Sequence, residues 1–233
     1  NLLISPFIIQ EKFLILDKSF NYLISPEISK LRRFSPKLKI AILASGEGTN
    51  FQELIDLSKS NKLDIDIKIL ITNKSDAGCI SRAKKSNINY KIIKNSDYEK
   101  KEFFEEEIIN TLKNYDIELV VMAGWMRIMS SKFVNSFKNK IINIHPSLLP
   151  SFKGGNAIEE AMSYNSKITG CSVHFVESKV DSGALIMQAA LSISEEDNFD
   201  SISKKIHFLE HKILPLSISK AGYFIRNGLM DND

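Results

Sequence analysis

The chain has 233 residues, 43% hydrophobic and 25% charged, with 31 basic against 28 acidic side chains and a net charge of +3. This is globular composition of a size suited to one large domain, and the charge is too balanced to argue for a nucleic-acid-binding face. Two cysteines, Cys79 and Cys171, with no CxxC pair, argue against a disulfide framework or a structural zinc site and suit a reducing cytoplasm.

The chain opens on "NLLISPFIIQEKFLIL". This stretch has no basic flank and no small-residue cleavage site, and Gln10, Glu11 and Lys12 interrupt it well short of the ~20 apolar residues of a membrane span. Residues 1–36 read as an N-terminal extension ending in "SKLRRFSPK", ahead of the main domain at 37–233. From residue 37 strands are expected at 37–45, 64–73, 88–93, 117–124, 140–145, 169–177 and 184–193. Amphipathic helices are expected in "NFQELIDLSKS", "AGCISRAKKS", "DYEKKEFFEEEIINTLKNY" and "SKFVNSFKN", and over roughly 199–222. Nearly continuous Val/Ile/Leu strands alternating with helices predict an α/β fold: an open, mostly parallel Rossmann-like sheet with helices on both faces. The last two strands are close in sequence and form a C-terminal antiparallel addition. Ligands of such sheets bind outside the carboxyl ends of the strands.

The first strand ends in "SGEGTN" before a helix. Glycines permit close backbone approach, and Thr49 with Gln52 fits a capping box, so the free amides and helix dipole form an anion site. Phe51 stands where a dinucleotide fingerprint needs its third glycine, and the Walker pattern is absent. A single phosphate held by Gly48, Thr49 and Asn50 fits better than a pyrophosphate. The fourth strand exits through Trp125, Met126, Arg127, Ile128 and Met129, either a packed loop or a flat apolar slot for an aromatic heterocycle.

The fifth strand runs into "NIHPS". Pro146 holds His145 extended, and side chains at i and i+2 share a face, so Asn143 and His145 point together. An amide donor beside an imidazole suits a carbonyl collapsing to an oxyanion. Asp181, in the turn of "VESKVDSGALI", is a turn former or the carboxylate that favours the imidazolium of His145. His174 reads equally as a satisfied core histidine or as a group behind the site. "HFLEH" at 207–211 also matches the inverted zinc-peptidase pattern, with His207 and His211 four apart on a helix, yet only 22 residues follow to offer a third ligand.

Together "SGEGTN", "AGWMRIMS", "NIHPSLLPSFKG", "GCSVHFVESKVDSGALIMQ" and "LEHKILP" resemble the phosphoribosylglycinamide formyltransferase family, over about residues 38–228. The resemblance implies a cytoplasmic enzyme of purine biosynthesis with small-molecule substrates and no metal, nucleic-acid or membrane partner, as a monomer or weak homodimer. It implies formyl transfer from 10-formyltetrahydrofolate, the folate co-substrate, to the glycinamide amine. By this likeness Asn143, His145 and Asp181 are catalytic. Gly48, Thr49, Asn50 and Glu210 bind the phosphoribosyl substrate. Met126, Arg127, Ile128, Met129 and Asn143 bind folate. The resemblance also places Lys101 among the folate-binding residues, where the family has an arginine, and the two differ in fork-like contacts. Formyltetrahydrofolate deformylase and methionyl-tRNA formyltransferase share the Asn-x-His-Pro-Ser and Asp elements. The first is expected to carry a regulatory domain ahead of the catalytic one and the second a C-terminal tRNA-binding domain. Neither needs the Gly-Thr-Asn phosphate loop.

Overall fold

In the computed structural model, which describes residues 15–16, 20–27 and 31–228, the apolar runs become the centre of one sheet. Its strands are β1 (Ile15–Leu16), β2 (Asn21–Ser25), β3 (Leu38–Leu43), β4 (Ile65–Thr72), β5 (Tyr90–Ile92), β6 (Leu119–Met122), β7 (Ile141–His145), β8 (Ile168–Phe175) and β9 (Leu185–Ser192). The helices are α1 (Thr49–Lys59), α2 (Gly78–Lys85), α3 (Lys101–Asn114), α4 (Ser131–Ser136), α5 (Ala157–Ser163) and α6 (Phe199–Asn227). Every strand expected past residue 37 forms within three residues of its expected ends. The short helix α5 was not expected.

The described strands lie in the order β1-β2-β9-β8-β7-β6-β3-β4-β5. β7, β6, β3, β4 and β5 run parallel, and β8, β9, β2 and β1 add to them antiparallel. Along β3, Ile40 and Ile42 pack towards Phe51 and Leu54 of α1 and Ile206 and Ile213 of α6. Ala41 and Leu43 alternate to the other face, under Phe104 and Ile108 of α3 and Phe133 of α4. Both faces are covered, which is why the strand reads as an unbroken apolar run rather than an alternating one. The chain winds from β3 out to β5, then returns to add β6 and β7 on the other side. The carboxyl ends of β3 and β6 therefore flank the crevice where such sheets hold ligands.

The extension joins this sheet. β2 pairs with β9, Tyr22 opposite Leu191 and Ser25 opposite Gln188. Tyr22 is buried, and Phe20 and Tyr22 meet the ring of Phe208 on α6 at 5.5 and 5.8 Å between centroids. Residues 31–36 then cross α6: the Arg32 amide donates to Ser219 Oγ at 2.7 Å, and buried Phe34 fits against Gly222. A Cβ on Gly222 would lie 2.6 Å from Leu38 and 3.0 Å from the Phe34 ring. The opening run "NLLISPFIIQEKFL", on which the reading of a targeting signal turned, lies outside the described residues.

Candidate active site

At the end of β3 the turn is held by Ser45. Its buried hydroxyl donates to Asn73 Oδ1 at 2.7 Å and accepts the Met126 amide at 3.1 Å, so the loops after β3, β4 and β6 share one anchor. The expected capping box does not form. Gly48, at φ 72°, is itself the cap of α1, Thr49 is the first helical residue, and no side chain caps the helix. Gly48 can take that place because it lacks a Cβ, which would lie 2.6 Å from the Cβ of Cys79. Gln52 instead donates to Asp56 and accepts from Arg82. The first-turn amides keep no intrahelical acceptor whichever residue caps. Arg82 of α2 adds a cation that sequence reasoning missed: its Nε donates to the Glu47 carbonyl at 2.7 Å, beside the loop. Its only signal was an arginine in an amphipathic helix.

After β6 the apolar exit divides in two. Trp125 and Met129 turn inward, with the indole N–H 3.3 Å from the Met129 sulfur and the indole stacked parallel to Phe104. Met129 thus supports the surface rather than forming it, because positions four apart in this turn share its inner side. Met126 and Ile128 stand outward, 68% and 64% exposed, on either side of Arg127, whose guanidinium lies 5.8 Å from the Phe104 ring centre. Two large apolar side chains so exposed around a cation form a surface that invites a planar ligand. Lys101 opens α3, with its ammonium 3.6 Å from buried Glu105. The same carboxylate takes the Ser130 amide and hydroxyl, so Lys101 is tied to a structural anchor.

β7 brings Asn143 and His145 out on one face, as their spacing required, and the 176–184 turn returns Asp181 to them. Asp181 Oδ2 lies 3.6 Å from His145 Nδ1, and Oδ1 lies 3.5 Å from His174 Nε2. His174 is opposite Asn143 in the β7–β8 register and belongs to the cluster. Its Nδ1 lies 2.8 Å from the Phe175 carbonyl, which can only accept, so Nδ1 carries the proton. In the neutral ring Nε2 is then a lone pair that accepts one Asn143 amide N–H at 3.3 Å, leaving the second N–H for a ligand. By the same logic His145 Nε2 donates to the Phe152 carbonyl at 2.7 Å. Asp181 also accepts the Gly154 amide at 2.9 Å. Burial pushes its carboxyl up, but with the His174 and His145 rings protonated a hydrogen bond from His174, the Gly154 amide and the charge of both imidazoles outweigh this and hold it below the usual carboxylate range.

Glu210 is buried on α6, and its carboxylate accepts the Asn50 amide at 2.8 Å across 160 residues of sequence. Burial pushes its pKa from the ordinary 4.5 up to about 7, a shift the Asn50 bond only partly offsets. The Asn50 Oδ1 is buried with no partner among the described residues. The Gly48–Asn50 turn and the "LEHKILP" motif, far apart in sequence, are thus joined in one wall. Among the described residues no three His, Cys, Asp or Glu side chains converge to hold a metal, and no helix is long and apolar enough to cross a membrane.

Comparison with known proteins then decides the family. Residues 38–218 match the model of the formyl transferase family. The chain belongs to that family. Among its members, the phosphoribosylglycinamide formyltransferase of Bacillus subtilis (strain 168) is 37% identical over 182 residues, 78% of this chain and 93% of that protein. The trifunctional purine biosynthetic protein adenosine-3 of Chironomus tentans is 40% identical over 192 residues, 81% of this chain but 14% of that much longer protein. The crystal structure of phosphoribosylglycinamide formyltransferase from Bacillus halodurans superposes with a TM-score of 0.76 at 38% identity, covering 78% of this chain and 94% of that one. The family match begins at residue 38, so β1 and β2 lie ahead of it.

Proposed function

We propose that the chain transfers the formyl group of 10-formyltetrahydrofolate to the amine of 5'-phosphoribosylglycinamide, releasing tetrahydrofolate, as a step of purine biosynthesis. The observation that carries this reading is the convergence of Asn143, His145 and Asp181 at the end of β7, on the same carboxyl edge of the sheet from which the Gly48–Asn50 loop leaves β3. Gly48, Thr49 and Asn50 receive the phosphate through first-turn amides, and Glu210 faces the same substrate. Met126, Arg127 and Ile128 receive the folate.

In the reaction the amine nitrogen attacks the formyl carbon and a tetrahedral oxyanion forms. His145 Nε2–H, which now donates to a carbonyl oxygen, donates to that oxyanion in its place, and the free Asn143 N–H is the second donor. Preorganised donors of this kind act where charge develops. Asp181 is ionised and meets the imidazole at Nδ1, so it balances positive charge there. The carbon–nitrogen bond to folate then breaks. The proton lost by the amine passes through Asp181 and water to the departing folate nitrogen, so every proton is accounted for without a covalent enzyme intermediate.

The deciding assay compares glycinamide ribonucleotide, water and charged initiator tRNA as formyl acceptors, with tetrahydrofolate release as readout. Release that depends on glycinamide ribonucleotide supports the reading. Release with water alone would mean a deformylase, and transfer to tRNA would mean a different formyltransferase.

A further inference from the structure

Helix α6 carries Glu210, and it is gripped from opposite flanks. On one flank Glu210 bonds Asn50 of α1. Residues two apart on a helix are about 200° apart around its axis. Phe208 and Lys212 accordingly take the other flank, and there they meet the extension. The rings of Phe20, Tyr22 and Phe208 pack as a trio, with 5.7 Å between Phe20 and Tyr22. The Lys212 ammonium lies 4.4 Å from the Phe208 ring centre and 5.9 Å from that of Tyr22. Tyr22 is 4% exposed although it sits in a strand whose neighbours Asn21 and Leu23 face solvent, and it is the most buried side chain tying β2 to the body, with partly buried Phe20 and Ile24 packed beside it. Further along, the Arg32 amide bonds Ser219 and the Arg32 guanidinium lies 4.6 Å from the Tyr223 ring centre. Buried Phe34 sits against Gly222, and its amide donates to Asp64 Oδ2. The extension therefore touches α6 at Phe208, Lys212, Ser219, Gly222 and Tyr223, over more than half of its length.

We propose that residues 20–27 and 31–36 are an in-chain clamp that positions α6, with Tyr22 as its positioning residue, and so holds Glu210 against Asn50 for the phosphoribosyl substrate. The proposal rests on the assignment of Glu210 and Asn50 to that substrate. The inner face of α6 is held by Ile206, Leu209 and Ile213 in the core, and the extension fixes the opposite flank, so removing that flank lets the helix settle differently, and small misplacements of a binding group are costly. The clamp acts through Glu210 and touches no reacting atom. It should therefore act on substrate binding and leave the oxyanion centre on β7 unchanged.

The test compares Tyr22→Ala and Tyr22→Phe with the unaltered chain by two readouts. The first is hydrogen–deuterium exchange across residues 199–227, which needs no activity. The second is steady-state kinetics with glycinamide ribonucleotide. Tyr22→Ala is expected to speed exchange in the 206–214 stretch and to raise the KM for glycinamide ribonucleotide about fivefold or more while kcat stays within about twofold. Tyr22→Phe should restore both, since it keeps the ring that packs on Phe20 and Phe208. Unchanged exchange and KM in folded Tyr22→Ala would overturn the clamp, as would a fall in kcat alone. If Tyr22→Ala does not fold, Phe20→Ala, which removes a half-buried ring of the same trio, decides by the same readings. If the unaltered chain does not formylate glycinamide ribonucleotide, the functional assignment fails, while the exchange data still judge the clamp.

Discussion

Replacing Glu210 with glutamine should make the protein more stable and less able to bind its substrate, with the gain in stability confined to neutral and alkaline pH. The carboxyl sits at about 7 instead of the ordinary 4.5 because it is buried beside one neutral partner. Its folded-state pKa is raised, so between these values the folded chain holds a proton that the unfolded chain has lost. Stability therefore falls as pH rises from 4.5 to 7 and is level above. A shift of this size corresponds to about 3 kcal/mol lost by pH 8 and under about 1 kcal/mol at pH 5. Glutamine keeps an acceptor for the Asn50 amide and never ionises, so it avoids this loss. For a chain of this length about 3 kcal/mol is roughly 6–12 °C in Tm. Urea unfolding of both proteins at pH 5 and pH 8 gives the comparison directly. The variant should be close to the parent at pH 5 and clearly more stable at pH 8, with a raised KM for glycinamide ribonucleotide. An equal gap at both pH values, or a variant less stable at pH 8, would refute the argument that a buried, uncompensated carboxylate is kept here at the expense of stability.

Other substitutions test the remaining roles. Asn143→Ala and His145→Ala should each lower kcat by about 10²–10³, the usual cost of one oxyanion donor, while substrate titration shows phosphoribosyl binding retained. A raised KM with kcat intact would reverse the assignment. Gly48→Val forces a β-branched residue into φ 72° with its Cβ 2.6 Å from Cys79, so calorimetry should show weakened binding of the phosphoribosyl substrate, and unchanged affinity would count against the loop. Asp181 has a depressed pKa, so its stabilising contribution is present above the ordinary 3.8 and lost as pH falls through its folded value. Asp181→Asn should accordingly flatten the acid limb of the unfolding profile and lower kcat by about a hundredfold or more between pH 6 and 9. A kcat within twofold of the parent would remove Asp181 from the mechanism.

The parallel half of the fold was legible because each buried strand carries its own pattern: "KIAIL" and "ELVVM" need no partner to be read. Asn143 and His145 were legible for a similar reason, since period-two geometry and Pro146 act within a few residues. What escaped depends on distant partners. β2 was not seen because Tyr22 alone is buried in it, and only β9 and Phe208 make that burial intelligible. His174 stayed ambiguous because its role is set by Asn143 across the sheet and by Asp181 in the following turn. The contact between His145 and residue 152 runs through a backbone carbonyl, which no side-chain identity announces. Met129 looked like its exposed neighbours Met126 and Ile128 until the turn divided inward from outward positions. The capping box failed for a local reason, since a glycine able to adopt a left-handed conformation pre-empted the threonine after it.

The strand lying along β9 also decides where the sheet stops, and this bears on solubility. β9 runs over eight residues, and without β2 it would present a row of unpaired amides and carbonyls, a template for pairing with another molecule. β2 covers four of its positions and is followed by Pro26, which cannot donate to a ladder. Beyond it β1 is only two residues long, a poor template among the described residues. Trimming the chain to the boundary of its family, at residue 38, would expose β9 and invite self-association even if Asn143 and His145 on β7 stayed in place.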